Sequence, residues 1–140
     1  MKRTIRILSL ALCLALFALA LVACGPKSDP EKAKKALEKN GYTLDSAVDY
    51  LAGLATAITG NKTIDTTLTA HKDVEDKDGN TKTEFITIVY YKTAADAKAD
   101  WENAKKDAED DKQGEDSDWV VARSGRMIYW GTKAAVKAAS

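Results

Sequence analysis

The sequence predicts an α+β domain: a four-stranded, mainly antiparallel sheet made of two hairpins, with helices packed on it. Two observations predict this class. Two pairs of strand-like segments are each joined by a glycine turn, and segments with helical spacing of apolar residues lie before, between and after them. The expected order of elements is ααββαββα, and 140 residues leave room for one such domain.

The first helix is predicted to begin at Pro30 and to end before Gly41. Proline suits the first turn of a helix, and glycine suits the position just after its last turn. Ser28 and Glu31 have the spacing of a capping box, in which each side chain bonds the other's backbone amide. The segment between is rich in lysine and has only a thin apolar stripe.

A second helix is predicted between an N-cap at Asp45 and a stop at Gly60, because apolar residues recur there at steps of three and four. After this helix, the spacing of apolar residues changes from a helical period to a strand-like one. Residues 63–74 alternate between apolar and polar, and residues 81–92 are rich in β-branched and aromatic side chains. The Asp-Gly pair at 78–79 between them is a strong hairpin signal.

A long helix is predicted to begin at Thr93, whose hydroxyl and Asp96 form a capping pair, and to run into an acidic loop. Two short strands follow at 118–123 and 126–131. They are joined by Ser-Gly, and a last helix at 133–139 is capped by Thr132.

The N-terminus has the pattern of an export signal. Lys2, Arg3 and Arg6 precede seventeen residues, 7–23, that carry no charge. This run is short for a membrane span, which needs about 20 apolar residues, so an uncleaved signal anchor is the alternative. Either form sends the rest of the chain across the membrane.

The end of that run, Leu21-Val22-Ala23-Cys24, resembles the lipobox of bacterial lipoproteins. The resemblance implies a diacylglycerol on the sulfur of Cys24, acyl chains such as palmitate in the membrane, and cleavage between Ala23 and Cys24. It implies a signal peptide at 1–23. The predicted helix start at Pro30 then gives a short tether at 24–29 and a single domain at 30–140. The order of elements in that domain is similar to that of small uncharacterised lipoproteins.

The lipobox implies a location on the extracytoplasmic side of the cell membrane, held by the lipid anchor. Cys13 would leave with the signal peptide, so that no intramolecular disulfide could form in the mature chain. Two acyl chains suffice for stable anchoring, whereas one binds marginally.

The charge distribution and the motifs of the chain limit the classes of function that the sequence supports. After residue 23 there are eighteen basic and twenty-one acidic residues with no dominant basic patch, which argues against nucleic acid as a partner. His71 is the single histidine, and no nucleophile elbow or phosphate loop is present. We therefore predict no catalytic residues, no metal site, no cofactor and no enzymatic activity.

Four aromatic residues are the candidate binding surface: Tyr91, Trp119, Tyr129 and Trp130. Neighbouring strand residues point to opposite faces, so one of each adjacent pair would be exposed if one face of the sheet were wet. The alternative is that helices cover both faces, or that the aromatic rings pair across strands. The predicted function is a membrane-anchored lipoprotein that binds an envelope protein or ligand. The alternatives are a small envelope hydrolase, or a protein that binds divalent cations weakly through the acidic tract 107–118.

Overall fold

The computed structural model describes residues 25–45, 63–112 and 118–140, in which four helices pack on an open, five-stranded antiparallel sheet. The strands are β1 (Thr43–Leu44), β2 (Ile64–Glu75), β3 (Thr81–Tyr91), β4 (Trp119–Ser124) and β5 (Met127–Thr132). The helices are α1 (Pro30–Lys39), α2 (Ala94–Ala99), α3 (Trp101–Asp110) and α4 (Lys133–Ala138). The predicted α+β class and antiparallel sheet are confirmed, but the strand number and element order differ.

The strands lie in the order β1-β2-β3-β5-β4. The two predicted hairpins are β2–β3 and β4–β5, and they join side by side where β3 pairs with β5. The unpredicted fifth strand, β1, pairs at the edge, with Thr43 opposite His71 and Leu44 opposite Ala70. A strand of two residues is too short to show an alternation of apolar and polar residues, so the sequence pattern does not predict it.

The predicted helix from Asp45 to Gly60 lies outside the described residues, apart from Asp45 itself. The predicted long helix after Thr93 is divided into α2 and α3 at Asp100, where the backbone leaves the helical path at φ −90° and ψ 1°. The Asp100 carboxylate accepts hydrogen bonds from the Tyr91 hydroxyl at 2.6 Å and from the Asn103 amide at 2.9 Å. The break between α2 and α3 therefore lies where Asp100 contacts the sheet through Tyr91.

Local turn and cap chemistry explains where the elements begin and end. The N-cap of α1 is Asp29, one residue later than the predicted Ser28, and its carboxylate accepts the Lys32 N–H at 3.0 Å. The predicted cap at Thr93 is confirmed, since its hydroxyl accepts the Asp96 N–H at 3.1 Å. At the β2–β3 turn, the Asp76 carboxylate accepts backbone N–H groups from Asp78 and Asn80, at 2.8 and 2.9 Å.

Helices cover both faces of the sheet, so the described residues form three layers. On one face, α1 and α4 bury Leu37, Ile88, Tyr90, Tyr129 and Ala135 in one cluster. On the other face, α2 and α3 cover a second cluster of buried residues: Val89, Tyr91, Ala97, Ala104, Ala108, Ile128 and Trp130. We call these the α1/α4 layer and the α2/α3 layer. Alternation along β3 and β5 sends each successive side chain to a different layer.

Candidate functional site

Three of the four candidate aromatic residues are buried. Tyr91 is 1% exposed, and Tyr129 and Trp130 are each 5% exposed. Of the arrangements considered for these residues, the structure has the one in which helices occupy both faces of the sheet, so neither member of a neighbouring pair faces solvent. Trp119 is half-buried, and its ring stacks on Phe85 with 6.3 Å between centroids and 3° between planes.

The polar atoms of two buried rings bond the acids of the α2/α3 layer. The Tyr91 hydroxyl donates to Asp100 at 2.6 Å, and the Trp130 indole N–H donates to Asp111 at 2.8 Å. Burial raises the pKa of Tyr91, and the hydrogen bond to Asp100 raises it further. These bonds satisfy ring donors that would otherwise be buried alone, which is a structural role. The Trp119 indole nitrogen is buried without a partner among the residues described.

Asp107 lies between those two acids on α3. Partial burial raises the pKa of its carboxyl, and the negative charges of Asp100, Asp111 and Asp110 raise it further, while Lys106 opposes them. A carboxyl with a raised pKa is a candidate acid catalyst when it faces a cleft. Among the described residues, no group of three or more His, Cys, Asp or Glu side chains is placed to hold a metal ion.

The other candidates lie apart from this acidic cluster. His71, at the outer side of the sheet, has its Nδ1 3.1 Å from the Asp45 carboxylate, and both side chains are more than a third exposed. A cleft of about 290 Å³ opens between the end of α1, β2 and α4. Its lining includes Tyr42, Lys72 and Lys137. The Lys72 ammonium donates to the Asn40 carbonyl at 3.0 Å and lies 5.6 Å from the centre of the Tyr42 ring.

The segment that follows Cys24 is packed into the α1/α4 layer. Cys24 and Ala23 lie outside the described residues. Gly25 lies against the Tyr129 ring, so that a Cβ at this glycine would be 2.9 Å from the Tyr129 hydroxyl oxygen. The next residue, Pro26, is buried. Within the short tether predicted at 24–29, Gly25 and Pro26 therefore pack against the domain.

Two hydrogen bonds hold the backbone of Lys27. Its N–H donates to the Ala139 carbonyl at 2.9 Å, next to the end of α4. Its carbonyl accepts from the Tyr90 hydroxyl at 2.8 Å, so this buried ring also has a polar partner. The anchor segment, as we call residues 25–27, is thereby fixed to both the sheet and the last helix. Sequence reasoning missed it, because its partners lie more than sixty positions away.

The two helical layers carry opposite charge. The segments of the α1/α4 layer, residues 27–40 and 133–138, contain seven lysines and three acids. Residues 94–112 of the α2/α3 layer contain seven acids and four lysines. The lysines of the first group are exposed, except for the half-buried Lys34. The run of acids visible in the sequence is thus one side of a polarised domain.

Within the described part of the chain, none of the helices has the length and apolar character needed to cross a membrane. The chain matches no known family model, no curated protein and no solved structure.

Proposed function

We propose that the protein is an extracytoplasmic lipoprotein, held to the cell membrane by a diacylglycerol on Cys24, whose domain acts by binding rather than by catalysis. The observation that carries the proposal is the N-terminal pattern: three basic residues, an uncharged run over 7–23, and Leu21-Val22-Ala23-Cys24 at its end. Each part has the position that lipid attachment and cleavage require.

The anchor segment supports this proposal. Every helix and strand described above follows Cys24, so cleavage before Cys24 would leave all of them in the mature chain. A lipid on Cys24 would enter the membrane next to Gly25, which contacts the Tyr129 ring. The anchor would then hold the domain directly at the headgroups.

The charge distribution supports a binding role. Opposite charges on the two helical layers suit electrostatic pairing with a charged partner, which raises association rates and selects partners by charge. Because Tyr91, Tyr129 and Trp130 are buried, we assign binding to the charged surfaces and not to these aromatic side chains. An envelope protein or a charged envelope component is the expected kind of ligand.

A small envelope hydrolase is the second candidate, and the raised pKa of Asp107 is the observation that favours it. Its neighbours Asp100 and Asp111 accept hydrogen bonds from buried rings, and a carboxylate in that role stabilises the fold. We therefore rank binding first. Hydrolysis of envelope substrates by the native protein, lost in Asp107→Asn with the fold intact, would reverse this ranking.

Mass spectrometry of the protein made in a bacterium that processes lipoproteins tests the anchor. The native chain and Cys13→Ala, a matched control in the apolar run, should both end at a Cys24 that carries diacylglycerol. Cys24→Ala should remain unprocessed and without lipid. An uncleaved native chain with an unmodified Cys24 would contradict the proposal.

Chemical cross-linking in the same cells tests the binding role. A partner captured by the native chain and by Cys13→Ala, but not by Cys24→Ala, would show that anchoring positions a binding domain. A lipidated native chain that captures no partner would argue against a protein ligand, and charged envelope polymers would be tested next.

A further inference from the structure

The layer that holds the anchor segment is also the layer rich in lysine. We propose that the α1/α4 layer lies against the anionic headgroups of the membrane, with the α2/α3 layer turned away from it. This inference rests on the proposed lipid at Cys24 and adds an orientation and a lipid class to it. The partner is a phosphate-bearing, anionic bilayer surface.

The proposed lipid at Cys24 is attached next to a residue that packs into the α1/α4 layer. Consecutive α-carbons are about 3.8 Å apart, so Cys24 lies within one residue of the contact between Gly25 and Tyr129. The backbone of Lys27 is bonded to Ala139 and to Tyr90, which leaves little slack between the lipid and the fold. Both partners belong to the cluster of buried residues beneath α1 and α4. The lipid therefore leaves the domain from the α1/α4 layer.

The outward face of α1 carries exposed lysines. Ala33 and Leu37 are fully buried and define its inner face. Lys35 and Lys39 lie two residues further on, which places them on the opposite side of a helix with 3.6 residues per turn, and both are exposed. In α4, Lys133 and Lys137 are exposed in the same way, and that helix has no acid.

Electrostatics then fixes the orientation. An anionic membrane attracts lysines that lie within a Debye length, about 8 Å at physiological ionic strength, and repels acids over the same range. A long, flexible tether would place the domain outside that range. The fixed anchor segment holds the α1/α4 layer inside it, and the acids of the α2/α3 layer favour the side away from the lipid.

Quenching of a fluorophore by lipid tests the orientation. The full chain is produced in a lipoprotein-processing bacterium with Glu31→Cys on α1 or Asp110→Cys on α3, two exposed acids on opposite layers. The lipid occupies the Cys24 sulfur, so the new cysteine alone takes a thiol-reactive probe. Each purified protein is inserted into preformed vesicles that contain a headgroup-quencher lipid, made of phosphatidylcholine with or without phosphatidylglycerol.

We expect strong quenching at position 31 and little at position 110 in vesicles with phosphatidylglycerol, and a loss of quenching at position 31 without it. Equal quenching at the two positions, or stronger quenching at position 110, would overturn the orientation. Quenching at position 31 that is the same without anionic lipid would overturn the role of the lysines.

Lysine substitutions test the same point from the protein side. Each lysine near an anionic surface changes the ratio of docked to undocked domain about fivefold, so Lys35→Ala with Lys39→Ala should lower it about 25-fold. The matched control is Lys98→Ala with Lys106→Ala, two exposed lysines of the α2/α3 layer, which should leave it unchanged. Equal effects of the two pairs would overturn the proposal.

The intact mass of each protein distinguishes a failure of the proposed function from a failure of the proposed orientation. A chain without diacylglycerol refutes the proposed function and this inference together. A chain that carries the lipid but shows no quenching at position 31 refutes the orientation alone and leaves the anchoring intact.

Discussion

Replacing Gly131 with alanine would place a methyl group where the backbone of β3 already lies. Gly131 is in β5, opposite Ile86 in β3 and Val120 in β4, where the two hairpins join. A Cβ there would be 2.2 Å from the Phe85 carbonyl oxygen and 2.7 Å from the Ile86 α-carbon. Its φ of +154° is also unfavourable for a side chain.

The cost follows from which atoms collide. Overpacking of a core by extra methyl groups typically costs about 1–3 kcal/mol, part of it through side chains that change rotamer. Here both nearest atoms belong to backbone, so β3 and β5 must separate and their hydrogen bonds lengthen. We therefore expect Gly131→Ala to lower the free energy of unfolding by at least about 3 kcal/mol. The melting temperature should fall by at least about 10 °C.

Thermal unfolding followed by circular dichroism measures the effect, with Gly79→Ala as the matched control. Gly79 also has a positive φ, +79°, but a Cβ there meets nothing within 4 Å. The control should be destabilised only by its unfavourable backbone conformation, by about 1–2 kcal/mol. If the two substitutions lower the melting temperature equally, the close approach of β3 and β5 at Gly131 is refuted.

Three further substitutions test the core and its acids. Leu37→Ala should cost about 3 kcal/mol in urea denaturation, because the side chain is fully buried; a loss no larger than that of half-buried Leu44→Ala would contradict this. Tyr91→Phe should cost about 1 kcal/mol through the lost hydrogen bond to Asp100, and an unchanged stability would contradict it. Folding raises the pKa of Asp107, so its penalty is present at neutral pH and disappears as pH falls toward the ordinary value of 3.8. Asp107→Asn should therefore raise the melting temperature at pH 7 and lose that advantage below about pH 4. An equal gain at both pH values would refute the shift.

Features set by neighbouring residues were predictable from sequence. The turns at Asp78-Gly79 and Ser124-Gly125 have local turn chemistry, and both hairpins form there. The end of α1 before Gly41, at φ +81°, and the cap at Thr93 follow for the same reason. In each case the residues that decide the structure lie within a few positions of one another.

Features that depend on residues far apart in the chain were not predictable from the sequence. β1 exists because Thr43 and Leu44 reach His71 and Ala70, a pairing that two residues cannot signal. The division between α2 and α3 coincides with a hydrogen bond that Asp100 accepts from Tyr91 in the sheet.

The burial of the candidate aromatic residues also depends on distant partners. Alternation correctly sends Tyr129 and Trp130 to opposite faces of the sheet, but it does not say what covers each face. That depends on α1 and α4 on one side and α2 and α3 on the other. The anchor segment was equally hidden, because its contacts are with Tyr90, Tyr129 and Ala139.

The bond between Lys27 and Ala139 sets an order of events during biosynthesis. One partner lies near the start of the domain and the other next to the end of α4, so the contact cannot form until residue 139 has been made. The contacts of residues 25–27 with Tyr90 and Tyr129 can form earlier, because both of these residues precede α4. Docking of the anchor segment is therefore completed late in folding, and a chain truncated before α4 would lose the bond from Lys27 to Ala139.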